Sequence, residues 1–116
     1  MSIVLRPSQA LHLLHETVLS EVRDAEPDLT FRQMAILLTV YLEPPPHTVR
    51  ALAARLAVTK PVVTRALDTM GRLKLVARRR DDADRRNVLV RRTVEGSLYV
   101  ERFGDVVVKK AAELAS

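Results

Sequence analysis

The spacing of apolar residues in this chain changes at Leu75, from a helical period before it to an extended pattern after it. Residues 76–80 and 87–92 are two runs rich in Val, Leu and Arg. The polar run Asp81-Asp82-Ala83-Asp84 lies between them. We therefore predict two strands joined as a hairpin with an acidic tip.

Two short helices are predicted immediately before this hairpin. Thr48 is a natural N-cap for a helix over residues 49–56. Thr59 is a natural N-cap for the next helix, over residues 60–73, in which Pro61 falls in the first turn where its missing N–H is harmless. A helix-turn-helix followed at once by a two-stranded hairpin is a winged helix.

Helices also flank this centre. Apolar residues at three- and four-residue steps predict a first helix over residues 8–25; they are Leu11, Leu14, Val18 and Val22. Thr30 and Gln33 have capping-box spacing and begin a second helix, apolar on most sides and expected to be buried, that ends near Leu42. A last helix covers residues 93–115 and is capped by its first residue. The predicted fold is mainly α (α+β), a single domain over residues 1–116.

Composition removes several classes of chemistry. The chain has 116 residues and no Cys, which excludes disulfides, thiolate nucleophiles and Cys-ligated zinc. Aromatic residues make up only 3% of the chain, so the core must be aliphatic. No apolar run approaches the ~18–20 residues of a membrane span, and we see no export signal. We expect a cytoplasmic protein that has no membrane partner and no cofactor.

Positive charge is concentrated in the middle of the chain. Residues 48–92 hold thirteen Arg and Lys against four Asp, a net charge of +9. The remainder holds six basic and ten acidic residues, a net of −4, and the two values sum to the +5 of the whole chain. A positive field confined to the winged-helix segment favours contact with a polyanion, and double-stranded DNA is the expected partner.

The second helix of the helix-turn-helix has two chemically different faces. One face is apolar and is expected to pack inward through Val63, Leu67 and Met70. The other face carries Lys60, Pro61, Thr64, Arg65, Asp68 and Arg72. In a major groove, Arg65 can reach guanine acceptors, Thr64 a phosphate or a base edge, and Val62 or Pro61 a thymine methyl.

Asp68 has the wrong charge for a phosphate contact. Its spacing predicts that it holds Arg65 at i−3 and Arg72 at i+4. An ordinary solvated helix face with ion pairs is the alternative interpretation of this pattern taken alone, because basic helix faces are common.

The hairpin carries seven Arg and no Lys; they are Arg78, Arg79, Arg80, Arg85, Arg86, Arg91 and Arg92. Guanidinium groups suit phosphate forks and insertion into a narrow minor groove. Asp84 stands beside Arg85 and Arg86 and could orient one of them. The alternative is that these charges prevent edge-to-edge aggregation, although one or two would be enough for that purpose.

Over residues 29–99 the chain resembles the MarR family of bacterial winged-helix repressors. The resembling segments are Leu29-Thr30-Phe31-Arg32-Gln33, Leu52-Ala53-Ala54-Arg55-Leu56, Thr59-Lys60-Pro61-Val62-Val63-Thr64-Arg65, Leu75-Val76, Asp81-Asp82-Ala83-Asp84-Arg85-Arg86-Asn87-Val88 and Thr93-Val94-Glu95-Gly96. The Asp-Arg-Arg wing followed by a Thr-x-x-Gly helix start is fairly specific, whereas Leu-Ala-x-x-Leu alone is weak.

The resemblance implies a homodimeric repressor in the bacterial cytoplasm, associated with the nucleoid, that binds a pseudo-palindromic operator. Residues 28–93 would be the DNA-binding core, and residues 7–26 and 93–115 the dimerisation helices. The predicted DNA contacts are Arg55, Thr59, Lys60, Pro61, Val62, Thr64, Arg65, Arg79, Asp84, Arg85 and Arg86. The predicted dimer contacts are Leu11, Leu14, Val18, Phe103 and Val107. The resemblance also suggests a small aromatic effector.

Three positions depart from the family pattern. Lys74 stands where the family usually has Gly, and a left-handed backbone is costly for Lys, so we expect this turn to differ. Arg92 replaces a usual apolar residue before Thr93. The sequence ends at Ser116, where members usually continue into a further helix, which we expect to be missing or merged into the preceding one.

Other functions have little support in the sequence. His12 and His15, with Glu16 beside them on the first helix, have a spacing that could hold a metal. The sequence places no third strong ligand near this histidine pair, so no metal site is predicted. His47 follows three prolines and is expected to pack or to lend a hydrogen bond. No catalytic signature is present, so we predict no enzyme. A winged-helix adaptor that binds proteins and not DNA is the main alternative.

Overall fold

The computed structural model describes residues 3–24 and 27–114, which form five helices and three short strands. In chain order they are α1 Pro7–Asp24, α2 Phe31–Leu42, β1 His47–Thr48, α3 Val49–Leu56, α4 Lys60–Arg72, β2 Val76–Arg80, β3 Val88–Arg92 and α5 Val94–Glu113. This is the predicted winged helix-turn-helix, and the fold class is confirmed. The predicted helix ends at Ala25 and Ala115 lie outside the described residues.

The chain divides into two compact units. The first, here called the winged unit, is Leu29–Val100 and contains α2, the helix-turn-helix, the sheet and the first turns of α5. The second, the flanking unit, is Met1–Asp28 with Glu101–Ser116 and contains α1 and the rest of α5.

The core of the winged unit is built around α2. Ile36, Leu37 and Val40 are completely buried, which confirms the prediction that this helix is the centre of the unit. The residues packed in the same core from the other elements are Leu52, Ala53, Val63, Ala66, Leu67, Met70, Leu75, Val76, Val90 and Tyr99. This core holds the helix-turn-helix and the base of the hairpin as one body.

The sheet has one strand more than the sequence predicted. Its order is β1-β3-β2 with antiparallel neighbours, and β1 pairs His47 with Val90 and Thr48 with Leu89. A two-residue strand directly after three prolines has no alternating pattern to reveal it. His47 is buried there, with its Nε2 3.1 Å from the Glu43 carbonyl oxygen, in keeping with the structural role expected for it.

The predicted N-caps hold at three of four helices. Thr30 and Gln33 form a full capping box on α2, Thr48 accepts from the Ala51 N–H on α3, and Thr93 accepts from the Gly96 N–H on α5. Thr59 occupies the N-cap position of α4, but its side chain makes no capping hydrogen bond, so that part of the prediction was wrong.

An N-cap side chain bonds the N–H of the second or third helical residue. In α4 the second residue is Pro61, which has no N–H, so the Val62 N–H at the third position is the one donor left to the Thr59 side chain.

The turn between α4 and β2 keeps the backbone that glycine would favour. Lys74 has φ of 62° in the left-handed region. The Leu75 N–H donates to Met70 O at 2.9 Å and the Lys74 N–H to Gly71 O at 3.0 Å, which is the Schellman pattern. The expectation that this turn would differ is therefore wrong, because two hydrogen bonds and the buried Leu75 hold Lys74 in a strained conformation.

Candidate nucleic-acid interface

The outer face of α4 forms a shallow groove of about 460 Å³. Its lining residues are Lys60, Pro61, Thr64, Arg65 and Asp68. The inward face of the same helix is completely buried at Val63, Leu67 and Met70. The structure thus separates the two faces as predicted and brings four of the predicted contacts together on one exposed surface.

A second concavity joins α4 to the hairpin. It has a volume of about 200 Å³ and is lined by Val49, Arg50, Lys60, Thr64, Arg86, Asn87 and Val88. Arg86 from the hairpin therefore lies near Lys60 and Thr64 of α4. Two residues that the sequence analysis missed, Arg50 and Asn87, belong to this surface. Arg50 could have been found, because it stands in the first turn of a capped helix that immediately precedes α4.

Arg65 also borders a third concavity, against the start of α2. Its volume is about 240 Å³, and its lining residues are Thr30, Arg32, Gln33, Val62, Arg65, Ala66 and Thr69. Val62 is half-buried here. Of the predicted contacts, Val62 is thus placed beside α2 and outside the groove, whereas Arg65 borders both concavities. Arg32 adds a cation that the sequence analysis did not single out.

The tip of the hairpin is ordered by its own aspartates. Asp81 accepts from the Ala83 N–H at 2.9 Å, and Asp84 accepts from the Arg86 N–H at 3.1 Å. Asp84 also accepts from Arg86 Nε at 3.0 Å and from Arg86 Nη2 at 3.1 Å, which confirms that Asp84 orients one of its neighbouring guanidinium groups.

The same contacts set the charge state of the tip. The Arg86 side chain and backbone, together with the nearby charge of Arg50, hold the pKa of Asp84 below its ordinary value. The carboxylate in turn raises the pKa of Arg86. Both groups are therefore ionised at neutral pH. The carboxylate loses its negative charge only as the pH falls through this lowered pKa.

The other arginines of the hairpin are placed differently. Arg79 pairs with Asp82 at 3.1 Å, and the Arg80 guanidinium donates to the Arg85 carbonyl oxygen. Arg85 and Arg91 are exposed, and their guanidinium groups have no ion pair among the described residues. Arg85 and Arg91 are therefore among the hairpin cations that no ion pair holds in the described part of the chain.

Arg92 is held by contacts with the end of α2. Arg92 donates from Nε to Val40 O at 2.8 Å and from Nη2 to Glu43 O at 3.0 Å, and its guanidinium lies 5.9 Å from the Tyr41 ring centre. It closes the C-terminal end of α2. Of the seven arginines that the sequence places on the hairpin, Arg92 is thus held by contacts with the end of α2.

Arg55, predicted as a DNA contact, forms an ion pair with Glu43 at 3.0 Å. This arginine lowers the pKa of Glu43, chiefly through its side-chain hydrogen bonds. The structure does not bring Arg55 to the three concavities around α4.

Asp68 does not hold the partners that its helical spacing predicted. Its Oδ1 accepts from Arg78 Nη2 at 2.7 Å, while Arg72 donates to Thr69 Oγ1 at 3.3 Å. The prediction of pairs with Arg65 and Arg72 was wrong because Arg78 of the hairpin lies against Asp68 and forms the ion pair in their place. Helical spacing cannot reveal a partner that another element supplies.

The predicted dimer residues lie on the flanking unit. Leu11, Leu14 and Val18 are exposed on α1 to 67%, 52% and 41%, with Val22 on the same stripe. Phe103 and Val107 on α5 are half-buried. Within this unit Glu21 of α1 and Arg102 of α5 pair at 3.5 Å. The exposed stripe is the kind of surface that another protein surface covers.

In the part of the chain that the structure describes, neither a metal site nor a membrane-spanning helix is found. His12 Nε2 lies 4.0 Å from Glu16 Oε1, but within residues 3–24 and 27–114 no three potential ligands cluster to hold a metal ion. None of the helices in these ranges is long and apolar enough to cross a membrane.

The element order and the basic surface around α4 define a winged helix-turn-helix protein of the kind that binds DNA. A family model for MarR matches residues 28–87, which is more than half of the chain. The protein therefore belongs to the MarR family and has the fold of its transcription regulators. A search among curated proteins finds no significant match.

Solved structures agree with this assignment. The transcriptional regulator BldR from Sulfolobus solfataricus is 26% identical, with a TM-score of 0.65 over 91% of this chain and 72% of that one. The S. aureus MepR–DNA complex is 25% identical, with a TM-score of 0.66 over 88% of this chain and 75% of that one. A mutant of S. aureus MepR, at 23% identity, shares the fold with a TM-score of 0.75 over 97% of this chain and 83% of that one.

Proposed function

We propose that this protein is a homodimeric transcriptional repressor that binds a pseudo-palindromic DNA operator. In this proposal α4 enters the major groove and the hairpin places Arg85 and Arg86 in the flanking minor groove. Residues 28–93 act as the DNA-binding core, and residues 7–26 and 93–115 as the dimerisation helices. Binding over a promoter would block transcription by occlusion.

The observation that carries the proposal is the surface shared by α4 and the hairpin. Lys60, Thr64 and Arg86 line one concavity, although they come from separate elements. Arg50 adds a further cation there. Exposed polar and basic groups near a helix N-terminus suit the major groove, and guanidinium groups on a projecting ribbon suit the phosphates and the minor groove. A neighbouring structure of similar fold is a DNA complex, which adds support.

The dimer is supported by the exposed apolar stripe of α1. Its residues recur at three- and four-residue steps and stay exposed on a helix that already packs inside the flanking unit. A second copy would bury this stripe and would place two α4 helices on successive half-sites. Sedimentation showing a monomer at micromolar concentration would remove this part of the proposal. The small aromatic effector stays a prediction from the resemblance.

The decisive experiment is selection of bound duplexes from a random-sequence pool, followed by gel-shift titration at several salt concentrations. A repressor of this kind selects a two-fold symmetric sequence, and its affinity falls steeply as salt rises. An adaptor that uses the winged helix for protein contacts would select no sequence and bind no duplex even at low salt.

Two substitutions separate base reading from phosphate contact. Arg65→Ala should cost about 1–3 kcal/mol at one base pair and relax the preference there. Arg85→Ala removes a cation from the hairpin, so it should weaken binding and reduce the salt dependence by about one charge while leaving the preference at that base pair unchanged. Lys109→Ala, at an exposed position on α5, removes the same charge outside the winged unit and should leave both affinities unchanged.

A further inference from the structure

The carboxylate of Asp68 is an unexpected group on a surface that faces DNA. It lies at one end of the groove formed by the outer face of α4, where it would repel phosphate. Its Oδ1 accepts a 2.7 Å hydrogen bond from Arg78 Nη2 of β2, and both side chains are only partly exposed, at 48% and 32%. Oppositely charged groups in such contact offset one another, so the groove remains compatible with a polyanion.

The geometry shows why Arg78 reaches this place. Side chains alternate across a strand, so Arg78 points to the same side of β2 as the buried Val76. A methyl group added at Gly71, one turn after Asp68, would lie 4.0 Å from Arg78 Nη2. The guanidinium therefore lies along α4, across the positions of Asp68 and Gly71.

The other ion pairs of the hairpin do not reach α4. Arg79 pairs with Asp82 and Arg86 with Asp84, so both pairs join residues of the hairpin to each other. In the described part of the chain, Asp68–Arg78 is the one side-chain hydrogen bond or ion pair between α4 and the hairpin. Otherwise the two elements are joined by the turn at Lys74 and by apolar packing at the base of the hairpin.

We propose that Asp68 and Arg78 are positioning residues that fix the angle between α4 and the hairpin, so that both grooves of one duplex are contacted in register. The inference rests on the proposed function. Contacts of this kind need placement within about 0.5 Å and 10–20°, which a turn alone does not supply. Asp68 acts through Arg78 and touches no base.

The test uses a duplex selected by the wild-type protein and a second duplex with the same centre but with A·T flanks replaced by G·C. The second duplex has a wider minor groove under the hairpin. The variants are Asp68→Asn, Arg78→Gln, their combination, and the exchange of the two residues. Asp82→Asn is the matched control, since it removes one carboxylate from an ion pair that stays inside the hairpin.

Each single variant should lose about tenfold in affinity for the selected duplex, and the combination should lose no more than the worse single variant. Each single variant should also lose its discrimination between the A·T-flanked and the G·C-flanked duplex, because the hairpin is no longer held over the flanks. The exchanged pair should recover part of both properties. Asp82→Asn should change each by less than about twofold, as expected for an exposed pair. Circular dichroism should show unchanged helix content throughout.

Three results would overturn the inference while leaving the proposed function intact. Asp68→Asn could raise affinity for every duplex, which would show simple repulsion. It could change the preference at one central base pair while Arg78→Gln does not, which would show a direct contact with a cytosine amino group. The two single effects could add without coupling. A wild-type protein that selects no duplex would overturn the proposed function and this inference together.

Discussion

Gly96→Ala adds a single methyl group, and we expect it to reduce the stability of the protein strongly. Gly96 is buried in the first turn of α5, and a Cβ there would collide with the Tyr41 hydroxyl and with the Leu75 carbonyl oxygen. The same Cβ would lie only 2.7 Å from Tyr41 Cζ. Since Leu75 O belongs to the backbone, moving Tyr41 alone does not relieve the collision, and Gly96→Ala can be accommodated only if the start of α5 or the backbone at Leu75 also moves.

The magnitude follows from the bonds that Tyr41 makes. Its hydroxyl donates to Leu75 O at 2.7 Å and accepts from the Thr93 N–H at 2.9 Å. Losing both costs about 1 kcal/mol each, and overpacking adds about 1–3 kcal/mol. The better helix propensity of Ala returns about 1 kcal/mol. We expect a net loss of about 2–4 kcal/mol in the free energy of unfolding, or roughly 10 °C in Tm.

Urea denaturation followed by circular dichroism measures this loss, and the chain offers a matched control. Gly104 lies in the same helix, and a Cβ there meets nothing within 4 Å. Gly104→Ala should therefore stabilise the protein by up to about 1 kcal/mol. Tyr41→Phe removes the nearest colliding atom, so it should cost less in the Gly96→Ala background than alone. Equal stability of the wild type and Gly96→Ala would refute the reasoning.

Three further predictions concern local stability, each measured by the same denaturation assay. Lys74→Gly should raise the free energy of unfolding by about 0.5–1 kcal/mol, because Gly adopts the left-handed φ of 62° without strain; a loss would contradict this. Thr48→Ala should cost about 1 kcal/mol, because its side chain accepts from the Ala51 N–H at 3.0 Å. Thr59→Ala should cost clearly less, because that side chain makes no capping bond, and equal costs would reject the comparison. Arg92→Met should cost about 1–2 kcal/mol because it loses the bonds to Val40 O of α2 and to Glu43 O just after it, yet it should leave DNA affinity unchanged under conditions where the protein is folded; weaker binding there would show that Arg92 contacts DNA.

Most of the fold could be predicted from the sequence because capping residues and the spacing of apolar residues mark where most of its helices and strands begin. The capping box of Thr30 and Gln33 places the start of α2, and the period change at Leu75 places the hairpin. Strand β1 was missed because its two residues pair with β3, about forty positions away, and carry no pattern of their own.

The candidate site was predicted less completely, because its contacts join distant segments. The outer face of α4 could be read from helical spacing. Arg50 and Asn87 belong to the surface because the hairpin lies against α3 and α4 in the folded protein, which residue spacing does not reveal. Asp68 was assigned to partners on its own helix, while Arg78 arrives from ten residues along the chain. Arg92 was counted with the hairpin cations because its carbonyl partners on α2 lie about fifty residues away.

Asp84 at the hairpin tip determines how ordered the neighbouring arginine side chains are before DNA binds. Asp84 accepts three hydrogen bonds from Arg86, one from its backbone N–H and two from its guanidinium, so the side chain is already oriented in the free protein. Immobilising a long flexible side chain on binding costs about 0.5–1.5 kcal/mol. This cost is smaller for Arg86, because its side chain is already ordered in the folded protein. A duplex would therefore meet an Arg86 side chain that Asp84 already orients and, one residue earlier, an Arg85 side chain that no ion pair holds in the described part of the chain.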